Sequence, residues 1–476
     1  MEGIMKELSI TLRSDIKKPL YEQIYDAIRQ DILNGKIGEG EKLPSTRFQS
    51  EYLQVSRSTV ELAYEQLLSE GYIYSEPYRG YYACDVQELY QLSGMERKTV
   101  AASQEKKAER KPKKQTYRID FSPNGIDLEQ FPYAPMGKIM RNLMLDQGEQ
   151  MLHSSLSFGD EKLRGAICEY LYRSRNVNCE PQQIILGAGN EYLQLLLSQI
   201  LGKDRWVAME SPTYLQAYRT FCNIGYKVKE IELDESGLLI GQLRDSGADL
   251  AYVMPSHQFP LGTVMQMKRR LELLGWAAEK PERYIIEDDY DSEFRYKGKP
   301  IPALQGMDRG GNVIYLGTFS KSIAPSTRVS YMVLPEKLLE TYIQKCGFYS
   351  CTVPNIMQQT IYQLMQEGVF EKNLNRMRGI YKGKHDYLLA ALRQCDWAGK
   401  VMGENAGLHF LVEVNSAKHE EEILEGCKKE GVRVYGISEY FISRNPHFEK
   451  PVLLLGYGGL TEKQMREGLE IIGQIV

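Results

Sequence analysis

The sequence predicts an α/β protein in which a small N-terminal domain precedes a large domain built around a mainly parallel sheet. The chain has 476 residues, more than one ordinary hydrophobic core accommodates, so two or three domains are expected. Residues 8–85 show helical periodicity followed by aromatic, strand-like segments. Residues 118–476 alternate amphipathic helices with short β-rich runs, which is typical of a wound parallel sheet. These runs are Gln183–Leu186, Trp206–Met209, Leu250–Met254, Tyr284–Ile286 and Val313–Leu316.

A charged segment, residues 86–117, separates the two predicted domains. Its end, residues 105–114, has no apolar periodicity and is interpreted as part of a solvated linker. Residues 1–85 contain 10 Lys and Arg against 14 Asp and Glu, a balance of −4, whereas the linker contains 8 against 4, or +4. A phosphate-facing surface in the first domain must therefore come from basic residues that cluster on one face.

The bulk composition favours a cytoplasmic protein without a membrane span. No apolar run approaches 18 residues, and the N-terminal segment lacks the hydrophobic core of a signal peptide. The eight cysteines are scattered without a Cys-x-x-Cys pair, so we interpret them as reduced thiols. The six histidines include no His-x-x-x-His pair, and we predict no metal site.

Three short helices are predicted in the first domain. Apolar residues at helical spacing run from Pro19 to Ile32, and Asn34-Gly35 then supplies a C-cap signal. Ser45, which follows a proline, would cap a second helix. Ser56 would cap a third helix, in which the apolar residues recur on one face, namely Val60, Ala63, Tyr64 and Leu67.

The third helix and the segment after it carry candidate DNA-contacting residues. The first turn of this helix is where a recognition helix meets base edges and phosphates in the major groove. Two aromatic strands around Pro77-Tyr78-Arg79-Gly80 would form a wing with a basic tip. This order of elements resembles the winged helix-turn-helix of the GntR superfamily over residues 10–85. The resemblance implies that a double-stranded DNA operator is contacted by Ser45, Arg47, Ser56, Arg57, Ser58, Thr59, Arg79 and Gly80.

An alternative interpretation of the first domain is a three-helix interaction module whose arginines are merely solvated. One departure from the usual pattern is Gln54, which stands where such turns carry glycine, at a position prone to left-handed backbone conformation. The caps, the turn and the wing nevertheless follow one another in the order that DNA binding requires. The DNA-binding interpretation is therefore favoured.

A second group of motifs lies at the predicted ends of strands in the large domain. One strand breaks into small residues around Lys321, and Arg328 follows seven residues later. Another strand ends in Glu287-Asp288-Asp289-Tyr290. An amine, a carboxylate and a guanidinium at strand ends are the groups that pyridoxal 5'-phosphate requires. Lys321 can condense with the aldehyde, Asp288 can pair with the pyridine nitrogen, and Tyr290 can reach the phenolic oxygen.

Further residues complete the predicted cofactor site. Arg328 and the Ser320 hydroxyl suit the phosphate, aided by backbone N–H groups of Gly189 and Asn190 where a helix begins. Tyr214 follows a strand and would offer an aromatic ring to stack on the cofactor. Each motif alone is weak, but the ordered set resembles fold-type I aminotransferases over residues 118–476.

With both resemblances, the chain is identified as a member of the MocR subfamily of GntR-type regulators, in which a winged helix-turn-helix is fused to a fold-type I aminotransferase-like domain. The segment from Pro255 to Pro260 strengthens the match. Ordinary aminotransferases carry an asparagine before the second proline, and that asparagine contacts the ring oxygen of the cofactor. Phe259 stands there instead, so we hypothesise that His257 or Gln258 substitutes for it.

The resemblance implies a transcriptional regulator that senses an amine, an amino acid or pyridoxal phosphate itself through an aldimine at Lys321, the one catalytic residue predicted. It also implies a head-to-tail, domain-swapped homodimer on two half-sites, and a linker of about 30 residues is long enough for the swap. Two alternatives stay open. The chain is an active aminotransferase with a tethered DNA-binding module, or its large domain binds no cofactor and only dimerises.

The residue that would hold the carboxylate of an effector also stays open. Aminotransferases usually use an arginine of the C-terminal small domain, and GABA-responsive members of the subfamily place one where this chain has Glu439. Gln216, near the expected mouth of the site, is neutral and supplies no positive charge for a carboxylate either. Either Glu439 lines the site and repels carboxylate effectors, or it faces solvent and Arg433 or Arg444 holds the carboxylate.

Overall fold

The computed structural model describes residues 8, 10–13, 15, 17–86, 116–296, 301–443 and 449–476. The chain divides into two compact units, Met1–Lys114 and Gln115–Val476, and each unit has a hydrophobic core of its own. Most of the predicted linker lies outside the described residues, as does Arg444. The limits of the linker therefore stay a prediction.

The described part of the first unit consists of three helices followed by an antiparallel hairpin. The elements are α1 (Leu20–Leu33), α2 (Thr46–Leu53), α3 (Arg57–Ser69), β1 (Ile73–Glu76) and β2 (Gly80–Ala83). The four apolar residues predicted on one face of α3 are all fully buried, and α1 packs against them with Ile24, Ile28 and Ile32. The predicted winged helix-turn-helix is therefore confirmed.

The helix caps and the turn of the first unit lie at the residues that the sequence analysis predicted. The Ser45 hydroxyl accepts a hydrogen bond from the backbone N–H of Phe48, and the Ser56 hydroxyl accepts one from that of Thr59. Each serine thus satisfies an N–H group that the first helical turn leaves unpaired. Gln54 adopts the left-handed conformation, with φ 52° and ψ 42°, and so ends α2 without a glycine.

An eight-stranded sheet forms the centre of the second unit, with the strand order β4-β11-β10-β9-β8-β5-β6-β7. Its strands are β4 (Ile184–Gly187), β5 (Trp206–Ser211), β6 (Lys227–Asp234), β7 (Gly237–Leu238), β8 (Leu250–Val253), β9 (Tyr284–Asp289), β10 (Val313–Thr318) and β11 (Ser330–Val333). The five strands from β10 to β6 are parallel, whereas β4, β11 and β7 lie at the margins in antiparallel pairings.

All five predicted β-rich runs lie on strands of this sheet, with ends shifted by one to three residues. The largest shift affects β9, which was predicted to stop at Ile286 but continues through Asp289. The acidic residues stay in the sheet because β10 pairs with them in register, Leu316 with Asp288 and Gly317 with Asp289. The carboxylates are therefore held by backbone pairing, not by a loop.

Helices pack around this sheet and continue into a smaller C-terminal region. They are α4 (Tyr133–Leu152), α5 (Glu161–Arg175), α6 (Asn190–Leu201), α7 (Leu215–Ile224), α8 (Ile240–Asp245), α9 (Met267–Ala278), α10 (Glu336–Cys346), α11 (Asn355–Gln366), α12 (Val369–Leu392), α13 (Glu420–Lys429) and α14 (Glu462–Ile475). Within the described ranges, no helix combines the length and the apolar character that a membrane span requires.

The smaller region is built on a second, antiparallel sheet of order β12-β13-β16-β15. Its strands are β12 (Ala398–Met402), β13 (His409–Val414), β15 (Tyr435–Gly436) and β16 (Val452–Gly456). A short parallel pair, β3 (Ile119–Asp120) with β14 (Val432–Arg433), joins the start of the second unit to this region. The predicted large domain with a small C-terminal subdomain is confirmed.

Candidate functional site

A pocket in the second unit opens where β5, β9 and β10 end. The carboxyl ends of parallel strands meet at one edge of a sheet, and ligands of open α/β folds bind there. Eight of the nine residues predicted to hold the cofactor line this pocket, and His257 lies next to it. The eight are Gly189, Asn190, Tyr214, Asp288, Tyr290, Ser320, Lys321 and Arg328.

Lys321 reaches into the pocket from the loop that follows β10. Its amine Nζ donates hydrogen bonds to the backbone oxygen of Pro123, at 3.0 Å, and to Asn124 Oδ1, at 3.3 Å. Burial lowers the pKa of this amine to about 8, although the nearby Asp291 carboxylate opposes the shift. A larger share of the amine is therefore uncharged and nucleophilic at neutral pH than an exposed lysine would offer.

Asp288 lies across the pocket on β9. Its carboxylate accepts a hydrogen bond from Asn190 Nδ2 at 3.2 Å and another from the Tyr252 hydroxyl. Burial raises the pKa of Asp288 to about 7. A protonated ring nitrogen placed beside this carboxylate would recover the charge stabilisation that burial removes. The role predicted for Asn190 involved its backbone, whereas its side chain orients the carboxylate; the sequence interpretation did not include Tyr252.

A buried ion pair stabilises the C-terminal end of β9. Arg175 Nε lies 2.8 Å from Asp289 Oδ2, and both side chains are less than 5% exposed. The Tyr315 hydroxyl donates a second hydrogen bond to the same carboxylate oxygen, at 2.6 Å. Breaking a buried pair by removing one partner typically costs about 3–5 kcal/mol. Arg175 and Tyr315 thus fix the strand that carries Asp288.

Arg328 lies at the N-terminus of α6, where backbone N–H groups favour an anion. Its guanidinium Nη2 lies 2.9 Å from Glu191 Oε2 and 3.0 Å from the backbone oxygen of Ala188. Gly189 has φ +104°, and a Cβ atom there would come within 2.0 Å of the same nitrogen. Only glycine leaves room at this point, so the chain forms a cradle that suits a phosphate group.

Glu191 was not predicted, yet it connects both sides of the pocket mouth. Its Oε1 accepts a hydrogen bond from Gln216 Nε2 at 2.5 Å, while its Oε2 faces Arg328. Gln216 Oε1 in turn accepts a hydrogen bond from the Tyr214 hydroxyl at 3.0 Å. The Tyr214 ring meets Phe259 edge to face, with ring centres 5.8 Å apart. Stacking of Tyr214 on a cofactor stays a prediction.

The two candidates for the missing asparagine have different surroundings. His257 Nδ1 lies 2.9 Å from Asp291 Oδ2 and 3.0 Å from the Tyr290 hydroxyl, so its ring is next to the predicted partner of the phenolic oxygen. The Gln258 side chain instead donates to the backbone oxygen of Pro212 at 2.7 Å and accepts from the N–H of Leu261 at 3.1 Å. Of the two, His257 has the placement that the hypothesis needs.

Glu439 and Arg433 do not line the pocket, and the other candidate for holding a carboxylate, Arg444, lies outside the described residues. Glu439 and Arg433 lie in a separate surface groove beside Tyr117. The Arg433 guanidinium lies over the Tyr117 ring, 5.4 Å from its centre, and 3.8 Å from Asp120 Oδ2. The interpretation in which Glu439 lines the site therefore has no support from this geometry, and the same holds for a clamp by Arg433. The prediction that Gln216 lies near the mouth fits the structure.

In the first unit, the three predicted DNA-contacting arginines are solvent-exposed. The side chains of Arg47, Arg57 and Arg79 are 79%, 64% and 76% exposed. Each is paired with a glutamate three or four residues away along the chain, namely Glu51, Glu61 and Glu76. Exposed ion pairs of this kind contribute only about 0–1 kcal/mol, so a phosphate can displace the glutamate at little cost.

The remaining predicted DNA contacts divide into two kinds. The side-chain oxygens of Ser45 and Ser56 already act as helix caps. A phosphate at these positions would therefore meet the first turns of α2 and α3, not free serine hydroxyls. Ser58 is exposed in the first turn of α3, and Thr59 is half-buried beside it. Gly80 has φ +113° at the tip of the wing, a conformation that L-residues rarely adopt.

Buried carboxyl groups lead us to predict that the unfolding temperature of the cofactor-free protein falls as the pH rises from about 5 to 8. Burial raises the pKa of Glu210 to about 8 and those of Glu287, Asp288 and Glu293 to about 7. A carboxyl whose pKa is raised by folding stabilises the fold at low pH, and this contribution is lost as the pH passes through the raised value.

Differential scanning fluorimetry at a series of pH values measures this trend. Asp288→Asn removes one of the titrating groups, so the fall in unfolding temperature should become smaller. Asp245→Asn alters an exposed carboxyl of α8 and should leave the wild-type trend in place. An equal fall in wild type and Asp288→Asn would contradict the contribution assigned to Asp288.

Two family models match the chain. The model described as "Bacterial regulatory proteins, gntR family" matches residues 20–82, and the model "Aminotransferase class I and II" matches residues 127–472. The HTH-type transcriptional regulator YdeL of Bacillus subtilis is 39% identical and covers 95% of this chain and 96% of its own. The probable rhizopine catabolism regulatory protein MocR of Rhizobium meliloti is 31% identical and covers 97% of this chain and 94% of its own.

Solved structures resemble the second unit in fold. The multiple substrate aminotransferase of Thermococcus profundus superposes with a TM-score of 0.68 at 24% identity, covering 77% of this chain and 92% of its own. The kynurenine aminotransferase of Pyrococcus horikoshii gives 0.67 at 24% identity, with 84% and 96% covered. These matches show that the sheet and the pocket belong to an aminotransferase fold.

Proposed function

The chain belongs to the MocR subfamily of GntR-type transcriptional regulators, and on that premise we propose that it binds pyridoxal 5'-phosphate as a sensor that controls DNA binding. The observation that carries the proposal is the convergence of Lys321, Asp288 and Arg328 on one pocket. An amine, a carboxylate and a guanidinium are needed together for this cofactor, and neither DNA binding nor dimerisation requires them.

The residues of the pocket fit the cofactor. Lys321 Nζ would supply the amine for the aldehyde carbon, and Asp288, which Asn190 and Tyr252 orient, would pair with the ring nitrogen. Arg328 and the N-terminus of α6 suit the phosphate, for which Gly189 leaves space. When bound, the cofactor would supply an electron-withdrawing ring next to its aldehyde carbon, the atom with which the Lys321 amine can react.

The lining of the pocket favours an effector that is an amine, or pyridoxal phosphate itself, over a simple carboxylate. Among the described lining residues, the cationic side chains are Lys321 and Arg328, and the bound cofactor would occupy both. Glu191 and Gln216 at the mouth are acidic and neutral. The related regulator PdxR of Corynebacterium glutamicum, 29% identical over 92% of this chain, is named for pyridoxine biosynthesis, which agrees with the second option.

We predict that Glu191→Gln tightens cofactor binding about fivefold. The Glu191 carboxylate occupies the same guanidinium that would receive the phosphate, 2.9 Å from Arg328 Nη2. Without its charge, residue 191 no longer competes with the phosphate for Arg328 and no longer repels the phosphate. A fivefold change in affinity corresponds to about 1 kcal/mol. A spectrophotometric titration of cofactor-free protein with pyridoxal phosphate measures the effect. Weaker binding in the variant would show instead that Glu191 positions Arg328, which contradicts the prediction.

The matched control for this variant is Glu169→Gln. Glu169 is exposed on α5 and pairs with Arg173, so the substitution makes the same change of net charge away from the pocket. Its cofactor affinity should equal that of the wild type. A shift of similar size in both variants would mean that total charge, not the cradle, determines the affinity.

Catalytic turnover is the second candidate function, because Lys321, Asp288 and Arg328, which an aminotransferase would use to bind its cofactor, lie together in the pocket. We expect less than one equivalent of keto acid per subunit when amines or amino acids are offered with an acceptor keto acid. The reason is that no described cationic residue of the pocket is left for the carboxylates of two successive substrates. Sustained, multiple turnover in a steady-state assay would favour the enzyme over the sensor.

We also propose that the protein is a homodimer. A dimer of helix-turn-helix domains binds two half-sites, and this arrangement raises both affinity and specificity for an operator. Sedimentation equilibrium should give twice the chain mass of 54.6 kDa. A monomer at the concentrations that saturate DNA would contradict the proposal.

A further inference from the structure

Two cysteines on one side of the second unit form a thiol pair. Cys168 lies on α5, and Cys179 lies beyond the end of that helix, with their Sγ atoms 3.6 Å apart. A disulfide bond brings the sulfurs to about 2.05 Å, so the two Sγ atoms have to approach each other by about 1.5 Å. Both residues are half-buried, which leaves them within reach of a small molecule from solvent.

The surroundings give the two thiols different reactivity. The pKa of Cys168 is lowered chiefly by its hydrogen bond with Cys179 and also by the Arg164 guanidinium one helical turn away, although burial and the Glu180 carboxylate oppose the shift. The pKa of Cys179 is raised by the same hydrogen bond and by burial. Because the thiolate is the nucleophile, the Arg164 guanidinium, one turn before Cys168 on the same helix, favours Cys168 as the group that attacks first.

We propose that Cys168 and Cys179 form a reversible disulfide when the protein reacts with a peroxide. The Cys168 sulfur attacks one peroxide oxygen, the O–O bond breaks, and the leaving hydroxide takes a proton and departs as water. The resulting sulfenic acid is attacked by the Cys179 sulfur, the S–O bond breaks, and a second water leaves. Two thiols lose two electrons in total, and the peroxide gains them.

The position of the pair connects it with the pocket. The loop that the cross-link would close contains Arg175, which holds Asp289 beside Asp288. Cys179 is followed by the turn Pro181–Gln183 and by β4, which leads to Gly189 in the anion cradle. In a reducing compartment such disulfides are transient and report oxidants. The disulfide does not depend on the proposed function; only an effect on cofactor binding would rest on it.

Peptide mapping of the full-length protein tests the proposal. The protein is treated with hydrogen peroxide, its free thiols are alkylated, and it is digested with trypsin without reductant. Cleavage after Arg164, Arg173, Arg175 and Lys203 separates the two cysteines, so a disulfide should join the peptides 165–173 and 176–203. Thiol titration should fall by two of the eight cysteines and recover after dithiothreitol.

Variants identify the role of each thiol. Cys168→Ser should abolish the cross-link, and Cys179→Ser should leave Cys168 as a sulfenic acid that dimedone labels. Cys222→Ser, which changes an exposed thiol on α7, should cross-link like the wild type. Lys321→Ala should do so too, since it removes cofactor attachment without touching the pair. Separately alkylated peptides after peroxide, or oxidation of Cys222 ahead of Cys168, would overturn the proposal.

Discussion

Replacement of Lys321 by alanine is expected to abolish the visible absorbance band of the cofactor-loaded protein. The amine is the group of the pocket that can bond covalently to the aldehyde, and burial already lowers its pKa to about 8. Loss of the covalent bond should also weaken cofactor affinity by about two orders of magnitude, or about 3 kcal/mol. Absorbance spectra before and after addition of pyridoxal phosphate, followed by dialysis, measure both effects.

A control lysine separates loss of the bond from loss of folding. Lys345 on α10 also donates from Nζ to a backbone oxygen, that of Gln199 at 2.9 Å, so Lys345→Ala removes a comparable hydrogen bond outside the pocket. This variant should keep the band, and circular dichroism of Lys321→Ala should match the wild type. A band of undiminished intensity in a folded Lys321→Ala protein would show that another amine holds the cofactor.

Replacement of Arg57 by alanine is expected to weaken operator binding by at least tenfold at fixed salt. Arg57 lies in the first turn of α3, is 64% exposed, and is paired with Glu61 on its own helix. A single contact to a base edge or a phosphate is worth about 1–3 kcal/mol. Fluorescence anisotropy with an operator selected from random duplexes measures the affinity at several salt concentrations.

The salt dependence distinguishes the kind of contact that Arg57 makes. A phosphate contact predicts a salt slope reduced by about one, with equal weakening on all sequences, whereas a base contact predicts relaxed specificity at one position. Arg173→Ala is the matched control, since Arg173 is also exposed and pairs with a glutamate four residues away, but in the second unit. Equal operator affinity of the wild type and Arg57→Ala would contradict the prediction that Arg57 on α3 contacts the operator.

Local signals explain why the first unit could be predicted closely. The caps at Ser45 and Ser56 act within three residues of the chain, and the buried face of α3 follows from helical spacing alone. Gln54 adopts the left-handed conformation predicted for its position in the turn, although the usual glycine is absent.

In the second unit, the site residues near strand ends could be predicted from the sequence, whereas the contacts between residues distant in the sequence could not. Asp288 lies at the C-terminal end of β9, and Lys321 and Arg328 come after the neighbouring strand β10, so the three meet at one edge of the sheet. Tyr252 and Glu191 were missed because nothing near them in sequence marks their contact with Asp288 and Arg328. Glu439 lies in a short 3-10 helix, Ile437–Tyr440, whose orientation relative to the pocket is set by tertiary packing and not by a local sequence signal.

Strand prediction failed in a similar way at the margin of the sheet. The strand β6, Lys227–Asp234, has an alternating, largely polar sequence that lacks the continuous apolar run of its neighbours. It pairs with β5 on one side and only with the two residues of β7 on the other. A partly exposed strand of this kind does not need the apolar residues that mark a buried parallel strand.

The central claim is that the cofactor pocket controls DNA binding, and operator affinity with and without pyridoxal phosphate tests it most directly. Anisotropy titrations of the selected operator would be run on the wild type and on Lys321→Ala, each in both conditions. Coupling between two sites typically changes affinity by about 5-fold to 150-fold. The account predicts a change of at least about fivefold in the wild type and none in Lys321→Ala. An unchanged wild-type affinity in a protein that carries the visible band would contradict it.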